Sequence, residues 1–271
     1  MVMKVQSRFT SFLGSVFLLG ALGLAGTATA SPIIVGLDFT GADWGTSEIT
    51  GVGQASWAND GGVAPPNRLR LTNNSGAQRG NAWYNAATVE ANAAWNAEFT
   101  FQITYEHSGG ADGLAFHLHE IGIGADTWIE GQGLGANFLS VVIDTWNNGG
   151  ECDFGLKIVN DGADVGNCHD LSGLGSLADD VYQVVMAYDG NGALTVDVIN
   201  TATSNSTGAL GFAADLSTLN NATFGWSAHT GGAGENHDIR TMSGTFVPEP
   251  GTALLVGLGL AGLSLGRRAR G

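Results

Sequence analysis

Along residues 99–105 apolar and polar side chains alternate without a break: Phe99, Phe101, Ile103 and Tyr105 on one side, Thr100, Gln102 and Thr104 on the other. A period of two is that of a β-strand with one face in a core. β-Branched and aromatic runs bounded by turn residues predict further strands at 33–39, 68–71, 113–119, 139–146, 154–159, 181–188, 194–199, 223–228 and 238–246. Arg68-Leu69-Arg70-Leu71 alternates charge with leucine, as an edge or half-exposed strand does. Residues 51–66, rich in Gly, Asn and Pro, read as a region of turns. Apart from the two ends of the chain, no stretch keeps the 3.6-residue apolar period of a helix. With 43 glycines in 271 residues, many short strands joined by tight turns imply an all-β, antiparallel sandwich or barrel.

The two ends carry different signals. Residues 1–30 join Lys4 and Arg8 to an apolar run at 12–25 and to Ala28-Thr29-Ala30, the layout of a secretory signal peptide with its cleavage site. At the other end, Val247-Pro248-Glu249-Pro250 precedes the uncharged stretch 251–266, and Arg267, Arg268 and Arg270 follow it. At about 1.5 Å per residue that stretch reaches about 24 Å, short of the roughly 30 Å hydrocarbon core of a bilayer. By itself it would make a marginal, transient membrane contact with basic flanking charges. Pro-Glu-Pro, an apolar helix and a basic tip in this order resemble the PEP-CTERM sorting signal of Gram-negative bacteria. The resemblance implies export, processing by an exosortase, and residence at the cell surface or in extracellular matrix. The expected organisation is a signal peptide at 1–30, one β-sandwich domain at 31–246 and a sorting segment at 247–271.

Charge narrows the partners. Two of the 10 basic residues fall in 1–30 and three in 247–271, which leaves five against 24 acidic residues in the body, a formal charge near −19. Nucleic acid is a poor partner for such a body. The stretch Ser140 to Asp153, SVVIDTWNNGGECD, runs from a β-branched strand into a loop with Asp144, Asn148, Glu151 and Asp153. So many hard oxygen donors in ten residues suit Ca²⁺ better than a metal that prefers thiolate or imidazole. The same spacing also occurs in an Asn/Gly-rich hairpin connection, so the loop keeps two readings. The two cysteines, Cys152 and Cys168, pair by default in an exported chain, and closing that loop would contribute roughly 3 kcal/mol. His117 and His119, on one strand face before Glu120, are either two ligands of a zinc site without a third or a packed pair.

Six blocks occur in order: LTNNSGAQRGNAWY (71–84), ADGLAFHL (111–118), GQGLG (131–135), VVIDTWNN (141–148), VVMAYDGNGALTVDV (184–198) and FGWSAHTGGAGENHDI (224–239). The series resembles the L-type, or legume-lectin-like, lectins over nearly the whole body. The resemblance implies a jelly-roll sandwich of the concanavalin A-like type, with a flat back sheet and a curved front sheet whose rim carries the loops. It also implies a site. Asp112 and Asn148 would accept hydrogen bonds from sugar hydroxyls, and Trp146 would stack on the sugar. Gln132, Gly133, Gly232 and Ala233 would supply backbone and selectivity contacts. Ca²⁺ would be held by Asp144, the Trp146 carbonyl, Asn148 and a fourth ligand among Asp153, Glu151 and Asp161, with Asp153 first. Fixed acceptors beside one aromatic plane match a ligand that presents hydroxyls and an apolar C–H face.

The sequence departs from the seed lectins at Val142, where they carry a Glu that ligates a transition metal. That weighs against manganese and leaves a single Ca²⁺. The expected function is an exported, Ca²⁺-assisted protein that binds carbohydrate, such as an exopolysaccharide, and performs no chemistry. A structural matrix protein on the same scaffold is one alternative. A glycan-cleaving enzyme is another, but the chain has no E-x-D-x-E or E-x-D-x-x-E pattern to present paired carboxyls.

Overall fold

The computed structural model describes residues 32–59, 66–104, 110–147, 154–177 and 180–246. The expected signal peptide and sorting segment lie outside the described residues, as does Tyr105. In chain order the strands are β1 (Ile33–Asp38), β2 (Ile49–Gly53), β3 (Ser56–Asn59), β4 (Asn67–Thr72), β5 (Gln78–Tyr84), β6 (Trp95–Thr104), β7 (Gly113–His119) and β8 (Phe138–Asp144). They continue with β9 (Gly155–Asn160), β10 (Ala163–Asp164), β11 (His169–Asp170), β12 (Val181–Tyr188), β13 (Ala193–Asn200), β14 (Leu210–Ala213), β15 (Thr223–Thr230) and β16 (Asn236–Phe246).

Every strand pair is antiparallel, and the strands sort into two sheets. The back sheet runs β14-β13-β12-β6-β16-β4-β3, and the front sheet runs β10-β9-β8-β7-β15-β5-β2 with β11 beside β9. β16 is long enough to pair with β4 near its start and with β1 along its second half. Alternation then decides which side chains meet between the sheets. Phe99 of the back sheet packs on Phe116 and Trp226 of the front sheet at 6.0 and 6.3 Å between ring centroids. Phe224 stacks on Phe246 at 5.1 Å.

Two expectations change here. The supposed turn region 51–66 contains part of β2 and all of β3, each the last strand at one side of its sheet. A border strand is held by one neighbour's backbone and needs little apolar surface, so Gly-rich ITGVG can serve. Conversely, β4 is no edge: it lies between β16 and β3, and Arg68 is 2% exposed. Its charge is tolerated because Asp238 of β16 lies 3.3 Å from Arg68 Nη1 and also takes both arms of Arg70, at 2.8 and 2.9 Å.

The outer face of the front sheet is not open to water along its middle. Residues 120–137 cross over it and tuck Ala125, Ile129 and Leu134 against Trp83, Ala115, Val142 and Val159. Trp83 Nε1–H donates to the Ala125 carbonyl at 2.7 Å. His117 and His119 are sealed beneath this cover, both with no exposed surface. His117 bonds Ser140 and Ser227, each at 2.7 Å. His119 Nδ1 accepts the Ile121 N–H at 3.2 Å, and its ring meets Trp83 edge-on at 4.3 Å. The packed reading of this pair therefore replaces the zinc reading.

Burial holds both histidines neutral. It lowers His117 well below the usual imidazole range, with neighbouring His119 adding to the effect, and lowers His119 to about 4. The unfolded chain takes up these protons first, so their contribution is complete above about pH 6.5 and declines as the pH falls, that of His119 being lost toward pH 4. For His119 that loss amounts to roughly 3 kcal/mol. His119→Gln, which keeps an acceptor for Ile121, should lose that much less stability than the parent between pH 7 and pH 4. Urea unfolding of both proteins at the two pH values checks it, and equal losses would refute the assignment.

Candidate functional site

Four positions far apart in the chain meet in one transverse row of the front sheet. Asp144 of β8 is opposite Gly113 of β7, Gly113 opposite His229 of β15, and His229 opposite Arg79 of β5. With strands about 4.8 Å apart the row spans about 14 Å. By strand alternation its side chains project from the outer face, at the margin of the covering loop.

Asp112 stands one residue ahead of this row. Its φ is 43°, and the Gly113 N–H turns back to the Ala111 carbonyl at 2.5 Å, so the chain bends sharply as β7 begins. Asp is among the residues that tolerate this left-handed conformation. The carboxylate is held by His229, whose Nδ1 meets Asp112 Oδ2. An ionised carboxylate only accepts, so Nδ1 carries the hydrogen. Asp112 keeps 21% of its side chain exposed, which leaves acceptor capacity for a ligand.

The main chain of Asp112 holds the neighbouring loop. Its carbonyl accepts the Thr145 N–H at 3.2 Å, and Ala111 N–H donates to Thr145 Oγ1 at 3.3 Å. The next residue, Trp146, donates its N–H to Asp144 Oδ1 at 3.0 Å and leaves its indole 38% exposed. A third boundary comes from residues 231–234, between β15 and β16. Gly231 approaches so closely that a Cβ there would stand 3.3 Å from both Asp112 carboxylate oxygens. Its carbonyl accepts the Ala77 N–H at 2.8 Å, anchoring the segment that carries exposed Gly232 and half-buried Ala233.

Gln132 and Gly133 belong to the covering loop. The Gln132 carbonyl accepts Trp128 N–H at 3.3 Å and the Thr127 hydroxyl at 3.0 Å. Trp128 in turn lies on His229, with ring centroids 3.9 Å apart. Gln132 and Gly133 also line a shallow depression of about 710 Å³ with Lys157 and Asp164. Asp112 thus meets Thr145 and Gly231 directly, with Trp146 the next residue after the first and Gly232 and Ala233 following the second, while Gln132 and Gly133 connect to His229 through Trp128.

Of the expected metal ligands, Asp144 is at the end of β8, almost wholly buried, with the Trp146 backbone beside it. Asn148, Glu151 and Asp153 lie outside the described residues, as does Cys152, the expected partner of Cys168. No group of three metal-binding side chains occurs among the described residues. Asp161 is removed from the ligand set: it accepts the Phe138 N–H at 2.7 Å, at the opposite end of β8 from Asp144. Six steps along a strand put the two about 20 Å apart. Val142 packs with Trp83 and Ala115 in the apolar layer under the loop, where it offers nothing to a transition metal.

Two residues beside Asp112 had no role in the sequence reading. His229 lies inside the block FGWSAHTGGAGENHDI, and Trp128 lies four residues before Gln132. The neighbouring glycines marked a rim but not which side chain it would present.

The sequence matches the legume-like lectin family over residues 49–252 and the PEP-CTERM protein-sorting motif over residues 246–270. No curated protein sequence matches the chain. In fold it is similar to lectin II from Ulex europaeus, at 20% identity and a TM-score of 0.62 over 79% of this chain and 97% of that one. It is likewise similar to the Ca²⁺/Man-bound exoplasmic/lumenal domain of VIP36, at 18% identity and a TM-score of 0.60 over 79% and 90%. Arcelin-5, a lectin-like defense protein from Phaseolus vulgaris, has 20% identity and a TM-score of 0.58 over 78% and 97%. The two antiparallel sheets are therefore those of the legume-lectin jelly-roll sandwich, and the chain belongs to the legume-like lectin family.

Proposed function

We propose that this protein is an exported lectin whose mature domain, residues 31–246, binds a saccharide at Asp112 and carries out no reaction on it. The observation that carries the reading is the partly exposed Asp112 carboxylate, oriented by His229 and tied through Thr145 to the exposed indole of Trp146. A carboxylate accepts hydrogen bonds from sugar hydroxyls while an indole covers the apolar face of the ring. Asn148 would add an amide, and Gln132, Gly133, Gly232 and Ala233 would border the ligand. Proteins of the same fold have been crystallised with galactose, with GalNAc and with Ca²⁺ and Man, so galactosides and mannosides are both among the ligands to try.

Ca²⁺ is part of the proposal. Asp144, the Trp146 carbonyl, Asn148 and Asp153 would hold it, an all-oxygen set suited to a hard cation. When bound, the ion supplies a fixed positive charge that orders the loop against Asp112. The Cys152–Cys168 disulfide would staple the same loop. The PEP-CTERM motif implies export, and we place the protein at the cell surface or in matrix after exosortase processing, with exopolysaccharide as partner and only transient membrane contact. A structural matrix role without sugar binding is the second reading, favoured by Val142 in the apolar layer.

Asp112→Ala should abolish retention on a glycan array while urea unfolding stays cooperative, and Asn148→Ala should do the same. A chelator should weaken retention by the parent protein. Undiminished retention by Asp112→Ala would overturn the site. Failure of the parent to retain any glycan in Ca²⁺ would favour the matrix role instead.

A further inference from the structure

Resting on the saccharide reading above, we propose that the site takes a chain of at least two sugar rings, and that Trp128 is a second stacking wall for the ring beyond the one held at Asp112. The row Asp144, Gly113, His229, Arg79 extends past Asp112 on the side away from Trp146. On that side Trp128 lies over His229, 41% exposed. Trp146 stands at the β8 end of the row and Trp128 above its β15 and β5 end. Two strand spacings, about 10 Å, separate β8 from β15. That span is longer than a single pyranose ring.

Trp128 is held in place before any ligand arrives. Its neighbours Thr127 and Ile129 are buried, at 0% and 4% exposure, so the loop hides its own side chains and leaves this one out. Trp128 N–H is bonded to Gln132, its carbonyl accepts Gly131 N–H at 2.9 Å, and Thr127 N–H is bonded to Asn81 Oδ1 at 3.2 Å. Asp126 ties the loop to the sheet through Arg79 at 2.6 Å and Asn81 at 3.1 Å. The Arg79 guanidinium carbon lies 5.3 Å from the indole centroid, a cation–π contact. A rigid aromatic plane gives up little conformational entropy when a sugar settles on it. Trp44, equally exposed, differs: its Nε1–H is bonded to Ala58 at 3.2 Å, and it adjoins no residue of the row.

His229 is the positioning residue of this arrangement. Its Nδ1–H occupies Asp112 Oδ2, and its ring carries Trp128, so one side chain sets both the carboxylate for the first ring and the plane for the second.

The test uses the purified protein in Ca²⁺ and an array that pairs each monosaccharide with its own di-, tri- and tetrasaccharide, galactosides and mannosides included. The parent should retain the oligomers about tenfold more tightly than the matching monosaccharide, the scale of one stacking contact. Trp128→Ala should erase that difference and leave monosaccharide retention unchanged, and Trp128→Phe should restore part of it. Trp146→Ala should weaken both ligand classes in the same proportion. Equal retention of monosaccharides and oligomers by the parent overturns the proposal. So does a proportional loss of both in Trp128→Ala, which would make Trp128 a shield for the Asp112–His229 pair. A parent that retains no glycan refutes the saccharide reading, and this extension with it.

Discussion

Replacing Asp238 with alanine should destabilise the protein by about 3–5 kcal/mol, the cost of breaking a buried ion pair from one side. Asp238 has no exposed surface, and Arg68 and Arg70, which it engages, are 2% and 11% exposed. Without the carboxylate, two guanidinium groups on the outer face of the back sheet lose the counter-charge they share. Arg240 adds to the crowding: burial lowers its pKa, and the Arg68 charge lowers it further. It donates to Gln102 Oε1 at 2.7 Å. Arg70 has the most freedom to swing toward water, which favours the lower end of the range. Asp238→Asn keeps the acceptor oxygen and loses the charge, so it should cost less than alanine. Urea unfolding at neutral pH measures both, and a loss below about 1 kcal/mol for Asp238→Ala would mean that the arginines escape to solvent.

Gly110→Ala should cost about 3 kcal/mol or more and remove glycan retention along with it. Gly110 has a φ of 77°, and a Cβ added there would stand 1.8 Å from the Thr145 carbonyl oxygen and 2.7 Å from its carbon. Both are backbone atoms, so no side-chain rotation relieves the overlap. The strands must part at the point where Ala111 and Asp112 bond Thr145. Gly36→Ala serves as the control, because a Cβ there meets nothing within 4 Å. Denaturation midpoints and array retention for the two variants should diverge, and matched behaviour would remove Gly110 from the account of the site.

Much of the fold was legible because strand periodicity is a local property. The predicted strand at 113–119 coincides with β7, and that at 181–188 with β12. The strands that escaped were those whose stability is not local. β5 reads QRGNAWY, with no clean alternation, yet it lies buried between β15 and β2. Its Asn81 and Trp83 face the covering loop rather than water, which reverses the usual meaning of a polar residue beside an apolar one. The Arg68–Arg70 stretch misled for a related reason: its charges point away from the core but are neutralised by a strand 168 residues later.

The sequence by itself determined that the chain is all-β, acidic and ends in a PEP-CTERM motif, because period, charge and end composition are written residue by residue. The resemblance carried by its ordered motifs also grouped Asp112, Trp146, Gly232 and Ala233 in one expected site. Only the tertiary structure decided that Arg79, Gly113, Asp144 and His229 share one row, that Trp128 reaches it from above, and that Asp161 belongs to the far end of β8. Register is the physical reason. Which residue of one strand stands opposite which residue of another is fixed by the packing of both sheets together, and a slip of one position would turn each of these side chains to the other face.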